Sequence, residues 1–509
     1  MTTLSVVCVC GLVAFGGMLL NAQTPRTDQR LQRVEASVVD VSLGDQDAPL
    51  RLNLAQLMAA FDVPGLSVAV VSDFQIVTAK GYGVIAAGSN APVGTTTLFQ
   101  AASISKPVTA AGALALVEQG KLSLNENVND RLTTWKVPEN EFTKDQKVTL
   151  RRLISHIGGL NVHGFAGYPV DAQLPTLLQI LDGEKPANSP PIRVGFVPGS
   201  KESYSGGGIV IEQQLMMDAT GKAFPELIRE LVLEKAGMTE SGFDQPLGAD
   251  RQALAASGTL PDGSPVRGGW YVYPELGPAG LWTTATDLAK FAIEIAQSRN
   301  GVSNKVLSKA MTETMLTRWP DGGAQCFHMD APNPGQFSHN GENEGFEGLL
   351  NMNWKTGNGL VMLANSNNGE YLWDFITRAV AREYGWNYKF SGQPKTLLLV
   401  ARLRGADVVL RQFSALKAAG VPEDQAGEKD LNEIGYAFVA RGNYRDAITV
   451  FQRNVREYPH SANVYDSLAD AYARAGEKTS AIENYEKSLQ LNPGSENAKK
   501  RLTDLRPTQ

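Results

Sequence analysis

A chain of 509 residues with 43% hydrophobic and 20% charged residues has an ordinary globular composition. It is too long for one compact core, so two or three domains are expected. A net charge of −6 without any Lys/Arg run excludes the electrostatic footprint of a nucleic-acid binder. Cys8 and Cys10 fall in the first twenty residues and Cys326 stands alone, which excludes a disulfide framework. The five histidines (His156, His163, His328, His339, His460) lack metal-ligand spacing in the sequence, so neither a metal nor another cofactor is expected.

Leu4 to Leu20 is an apolar run followed by the small residue Ala22, the pattern of an export signal over residues 1–22. Its first basic residue comes as late as Arg26. An uncleaved membrane anchor is the alternative, although the interrupted run is barely long enough to span. The expected location is periplasmic or secreted, with no stable membrane span after cleavage. Next, "LNLAQLMAAFD" has the spacing of a short helix, and "PGLSVAVVSDFQIVTAKGYGV" reads as two strands turning at Ser72 to Phe74. A helix runs from Ser103 to near Gly120. Residues 121–260 mix helices and loops, with the Pro-rich "EKPANSPPIRVGFVPGS" just ahead of "YSGGG". "ATDLAKFAIEIAQ" predicts a helix capped by Thr286. "EGLLNMNW" and "GLVMLANS" predict a hairpin turning at "KTGN", and Tyr371 to Tyr384 a closing helix. Strands at both ends with helices between them predict an α+β domain with a mainly antiparallel sheet.

Beyond about Gln393 only helical patterns remain, and the tail matches itself at an offset of 34 residues. Gly442 falls on Gly476, Ala447 on Ala481, Ile448 on Ile482, Phe451 on Tyr485, Ala437 on Ala471 and Pro459 on Pro493. Small residues let two helices approach, Pro ends the second, and the whole resembles the tetratricopeptide repeat. Two repeats cover Asn432 to Pro493. They fall short of the three or so that a free-standing stack needs, so they are expected to borrow burial from "KTLLLVARLRGADVVLRQFSAL" or from the main domain. Such repeats imply a protein partner.

The chemistry concentrates at "SISKP". Ser103 and Lys106 stand at i and i+3, on one helix face, and Pro107 suits a first helical turn. Ser103 is therefore expected at a helix N-terminus, where the dipole favours negative charge. Lys106, half buried among Ala and Val, is expected to lose its proton more easily than a surface lysine. Alone, the pair is also what a capping serine and a chance lysine give. Two further segments add to it: Tyr204 in the Gly-rich "PGSKESYSGGG", and "FSHNGENEGF" with His339, Asn340 and Gly341.

In this order "SISK", "YSG" and "HNG" resemble the serine β-lactamase and penicillin-binding protein superfamily, closest to its class C and its esterase and peptidase branches. "VPGLSVAVV", "TLRRLISHIGGL" and "GPAGLWTTATDLAKF" agree, over about residues 50–385. The resemblance implies a β-lactamase/transpeptidase-like domain with Ser103 as acylated nucleophile, Lys106 as its base and Tyr204 as a proton-exchanging phenol. It implies an oxyanion hole from the backbone N–H groups of Ser103 and Glu342, and substrate binding along His339, Asn340 and Gly341. His156 in "LISHIGG" is expected to order a loop.

Two positions depart from the pattern. Gly206 stands where lactam-processing members usually carry Asn, and His339 and Asn340 replace the Lys and the hydroxyl residue of the third motif. Near neutrality a histidine is only partly charged, so a substrate carboxylate loses a fixed cation. The expected activity is ester or amide hydrolysis of esterase or D-amino-acid-peptidase type on a small molecule or peptide. A true β-lactamase is the alternative, and a silent binding protein recruiting a partner through its repeats the second. The expected division is a signal at 1–22, the hydrolase domain at 48–388, a helical linker at 389–428 and the repeats at 429–505. Because no candidate catalytic group lies beyond residue 342, the repeats are expected to be separable from the chemistry.

Overall fold

The computed structural model describes residues 29–44, 47–319, 322–324, 326–330, 332–390 and 395–506. The export-signal reading of residues 1–22, with Cys8 and Cys10, lies outside the described residues. Among the described residues no helix is long and apolar enough to cross a membrane.

Six strands form the main sheet: β1 (Gly65–Ser72), β2 (Gln75–Gly83), β3 (His328–Met329), β4 (Gln336–Asn343), β5 (Phe346–Asn353) and β6 (Gly359–Ala364). Their spatial order is β3-β4-β5-β6-β1-β2, and every neighbouring pair is antiparallel. The two ends of the domain sequence thus meet at the β6–β1 pair, as the order of sequence patterns predicts. The β1–β2 turn places Asp73 and Phe74 at φ of 51° and 60°, the two positive values that a two-residue hairpin turn matching strand twist requires. β1 and β6 are buried almost throughout, because helices cover both sheet faces, and they therefore read as continuous apolar runs rather than alternating ones.

On the inner face pack helices α1 (Ser105–Glu118), α2 (Gly206–Thr220) and α3 (Ala285–Arg299). The cap of α3 differs from expectation. Thr284, not Thr286, accepts the Asp287 N–H, at 3.1 Å, and the helix starts at Ala285. The competing residue is Asp287 itself, whose buried carboxylate accepts from Ser241 Oγ and the Glu240 N–H and so belongs inside the first turn.

The outer face is covered by α4 (Glu370–Tyr384), then α5 (Thr396–Arg404) and α6 (Ala406–Ala418). The repeat helices follow: α7 (Glu428–Ala440), α8 (Tyr444–Glu457), α9 (Ala462–Arg474), α10 (Lys478–Leu491) and the closing α11 (Glu496–Leu505). Gly442 and Gly476 take φ of 70° and 83° in the two inter-helix turns, which explains their recurrence at the repeat spacing. Ala447 and Ala481, and Phe451 and Tyr485, are fully buried at matching places.

One hydrophobic cluster runs without a break from Leu66, Val68 and Val70 of β1 through Leu360 and Met362 of β6 to Leu398, Phe413, Ile434, Phe451 and Leu468. The expectation that the repeats are separable therefore needs correcting. The bridge helices and the first repeat complete the outer core of the sheet, and only Ala469, Tyr485, Ala498 and Leu502 form a satellite cluster.

Candidate active site

A 3-10 turn, Ala102–Ile104, leads from the inner sheet face into α1, so Ser103 sits in the turn just before the helix proper. Ala102 holds φ at 50° with no exposed surface, a conformation L-residues avoid and packing has to impose. The packing partner is β4. A side chain on Gly341 would put its Cβ 2.1 Å from the Ala101 carbonyl oxygen, so only glycine lets the strand press against the strained turn.

Lys106 lies one turn on and is 2% exposed, deeper than the half-burial expected. Its ammonium donates to Ser103 Oγ at 2.8 Å and to the Pro278 carbonyl at 3.0 Å. Among the described residues no carboxylate forms an ion pair with it, and burial pushes its pKa down to about 7. The Pro278 segment is laced to α1 by Thr109 Oγ1 donating to the Gly277 carbonyl and by the Leu281 N–H donating to Ser105 Oγ. Sequence reasoning missed this carbonyl, because a backbone oxygen carries no residue signature; "GPAGLWTT" was the one available sign.

Tyr204 immediately precedes Ser205, which caps α2 by accepting the Gly208 N–H at 3.0 Å. Lys106 Nζ stands 4.9 Å from the centroid of the Tyr204 ring. Burial raises the phenol pKa, and a hydrogen bond with Ser103 offsets part of that rise. His156 fastens the loop from both sides of Tyr204: its carbonyl accepts the Ser203 N–H at 2.8 Å and its Nδ1 the Ser205 N–H at 3.3 Å. Its own φ is 58°. Burial, then the Lys106 charge, depresses its pKa to about 3, so the ring is neutral.

The histidines scattered in sequence gather in space. His156, His163 and His339 lie with ring centroids 4.4, 4.9 and 6.4 Å from Tyr204, and His328 is 5.4 Å from His339. Among the described residues no group of His, Cys, Asp and Glu has metal-holding geometry. His339 is 2% exposed, its Nδ1–H donates to the Asn340 carbonyl, and burial followed by the Lys106 charge holds its pKa well below the ordinary value. It is neutral, not partly charged as expected.

A cleft of about 410 Å³ opens over Ser103, Lys106 and Tyr204 and is walled by Phe165, Tyr273 and the β4 end from Glu342 to Glu344. His339, Asn340 and Gly341, expected along the substrate, are not among its walls: His339 and Gly341 face the buried side of β4. Tyr273 and Phe165 carried no motif. The Tyr273 hydroxyl accepts the Glu344 N–H at 3.0 Å and so fixes the β4–β5 turn. A Cβ on Gly206 would lie 3.0 Å from the Phe165 ring, so that ring fills the space a side chain there would take.

A seryl oxygen hydrogen-bonded to a buried amine, beside a phenol and the edge of an antiparallel sheet, defines a β-lactamase-type fold and site. The family profile described as Beta-lactamase matches residues 50–382, and the chain belongs to that family. A tetratricopeptide repeat profile matches residues 432–496. A β-lactamase from Lysobacter lactamgenus is 28% identical over 264 residues, 50% of this chain and 62% of its own length. Penicillin-binding protein 4 of Amycolatopsis lactamdurans is 29% identical over 243 residues, 45% of this chain and 58% of its own. The chain thus spans about three fifths of these curated relatives. The octameric penicillin-binding protein homologue from Pyrococcus abyssi has the same fold, with a TM-score of 0.54, 24% identity and coverage of 66% of this chain and 76% of its own. So does EstCE1, described as a hydrolase with promiscuous acyltransferase activity, with a TM-score of 0.51, 19% identity and coverage of 64% and 96%.

Proposed function

We propose that the protein is an exported serine hydrolase that opens an ester or amide through an acyl-enzyme on Ser103, with its repeats engaging a protein partner. The carrying observation is the 2.8 Å contact between Ser103 Oγ and a buried Lys106 amine whose pKa lies near 7. When Lys106 is neutral the contact reverses: the Ser103 O–H donates to the amine, which takes the proton as the oxygen attacks the substrate carbonyl. The negative oxygen that forms is held by the backbone N–H groups of Ser103 and Glu342. Tyr204, kept protonated by burial, gives its proton to the leaving alcohol or amine and recovers one from Lys106. Water then attacks the acyl-enzyme by the same steps in reverse.

Two observations support small neutral esters or amides over lactams. The Phe165 ring occupies the space at Gly206, so no side-chain amide grips an acylamino group, and the neutral His339 offers no cation to a carboxylate. Each absent polar contact is worth about 1–3 kcal/mol of discrimination. Export rests on the apolar run ending near Ala22; mature protein from a bacterial envelope should begin close to Gln23.

A fluorophosphonate probe should add mass to the peptide containing Ser103, and Ser103→Ala should abolish labelling and turnover together. Labelling that survives Ser103→Ala removes the nucleophile assignment. On one preparation, kcat/KM for a p-nitrophenyl short-chain ester should exceed that for nitrocefin. A large excess in the other direction establishes a true β-lactamase, and no turnover of any ester, D-amino-acid peptide or lactam establishes a silent binding protein.

A further inference from the structure

A second cavity, of about 440 Å³, opens between the short helix Leu150–Ile154 and the loop that leads to Tyr204. Its walls hold three cationic side chains, Lys147, Arg151 and Arg152. Only Lys147 has a carboxylate partner, Glu139 at 2.7 Å; among the described residues Arg151 and Arg152 have none. Arg151 donates its Nε–H to Asn125 Oδ1 and sits over Trp319, its guanidinium carbon 3.9 Å from the ring centroid. Two buried donors on the same wall, Arg151 Nη1 and Trp319 Nε1, have no acceptor among the described residues. Arg152 is held in place by the Lys147 carbonyl and the Gln146 side chain, both neutral. Burial lowers the pKa of both arginines, and no neighbouring charge opposes it.

Two partly buried guanidinium groups held by neutral partners, facing one open cavity, form a double positive charge without a carboxylate partner among the described residues. A partly buried cation without a counter-charge is costly enough that natural proteins usually pair it. Planar N–H forks match the spacing of oxygens on carboxylate, phosphate or sulfate, and two forks with a net charge of about +2 match a dianion best. We infer that this cavity binds a dianionic tetrahedral oxyanion of the phosphate or sulfate class, free or as the end group of a larger molecule. The site is distinct from the Ser103 cleft but adjoins the segments that hold Tyr204. Ile157 and Gly199, both in the cavity wall, are joined by the Gly199 N–H donating to the Ile157 carbonyl at 2.7 Å, and Ile157 follows His156 directly.

The test titrates the full chain calorimetrically with inorganic phosphate, sulfate, acetate and chloride at matched ionic strength. Saturable phosphate or sulfate binding is expected, at least tenfold tighter than acetate, and weakened at least tenfold in Arg152→Gln. Phenyl phosphate separates the sources: binding equal to phosphate indicates an end group on a larger molecule, and exclusion indicates the free ion. A measurement on the unmodified sequence guards against a variant that fails to fold. Phosphate should slow phenylglyoxal modification of Arg151 and Arg152 relative to the other arginines, read by peptide mass. Absence of saturable binding, binding unchanged in folded Arg152→Gln, or no selective protection overturns the inference.

Discussion

The two faces of the sheet are built on different terms. The inner core carries the irregularities: Ala102, His156 and Cys326 at positive φ, a buried amine at Lys106, and Glu212 with both carboxyl oxygens unpartnered. Burial raises the Glu212 pKa well above the ordinary carboxylate value, and the Cys326 thiol is pushed up by burial and then by Glu212. The outer core is a continuous aliphatic and aromatic seam from β1 to the first repeat, with fewer such features: Asp62 at positive φ, and unpartnered atoms on Arg402, Trp373 and Asn454. Strain and unsatisfied polar groups persist only where the surrounding structure over-determines them. On the proposed mechanism the inner face gives up stability to hold Ser103 against a buried amine, and the outer face, repeats included, supplies rigidity. The helical tail is structural support for the sheet before it is anything else.

The largest effect should come from breaking that seam. A chain ending at Phe390 loses Leu397, Leu398, Val400, Val409, Phe413, Leu431 and Ile434, all buried against the outer core. At about 1.5–3 kcal/mol for each buried side chain, the loss is about 10–20 kcal/mol, the same size as the roughly 5–15 kcal/mol by which a whole domain is stable. Such a chain should aggregate or unfold at room temperature. A chain ending at Gly476 loses mainly the satellite cluster and should remain folded and hydrolyse a small ester near the parent rate. If the Phe390 chain proves folded by near-ultraviolet circular dichroism and fully active, the shared core is not structural.

Next in size is the contrast at Lys106, where stability and activity should move in opposite directions. Lys106→Met should lower kcat/KM about 10²–10⁴-fold, as loss of a positioned base does. It should also stabilise the fold by on the order of 1–4 kcal/mol at pH 6, because an apolar chain replaces a buried charge. The sign follows from linkage. With a folded pKa near 7 against an ordinary value near 10.5, the unfolded state binds more protons between those values, so parent stability rises with pH there. The advantage of the variant should therefore be greatest below pH 7 and fade toward pH 10.5. Parent kcat/KM should fall as pH drops through about 7. Urea melts at pH 6 and 10 with a pH–rate profile check both, and a variant no more stable at pH 6 than at pH 10 contradicts the buried charge.

What the sequence made legible follows the same division. Periodic and typed features could be read: the β-branched runs of β1 and β6, the repeat glycines, and the order of Ser103, Lys106 and Tyr204. Features made by tertiary approach could not. The stretch "GPAGLWTT" does not say that the Pro278 carbonyl orients Lys106, and nothing local marks Phe165 as the ring over Gly206. The Thr286 cap failed because two threonines two residues apart offer the same local chemistry, and buried Asp287 decided between them. The histidines seemed unrelated because their neighbourhood is closed by strands and loops more than a hundred residues apart. That two repeats must borrow burial was legible from their number; which surface supplies it was not, because a helical period reports which face is apolar, not what covers it.

The smallest predicted effects test how the outer face grips the sheet's entry loop. Asp62, at φ of 55°, accepts from Arg402 at 3.0 Å and from Arg441, in the first repeat, at 2.6 Å; both arginines also donate to the Ala60 carbonyl. The two pairs differ in exposure. The Arg402 side chain is 4% exposed, whereas Arg441 and Asp62 are each 33% exposed. Arg441→Ala leaves Asp62 paired with Arg402, so it should cost no more than the ~0.2–1 kcal/mol of an exposed ion pair, and less at 1 M salt. Asp62→Asn tolerates the same backbone angle but leaves Arg402 buried without a counter-charge, which should cost about 1–3 kcal/mol and respond weakly to salt. Urea denaturation of both variants at 0.1 and 1 M NaCl decides the order. If Arg441→Ala proves the costlier, the repeat's exposed arginine, not the buried one, anchors the tail to the sheet.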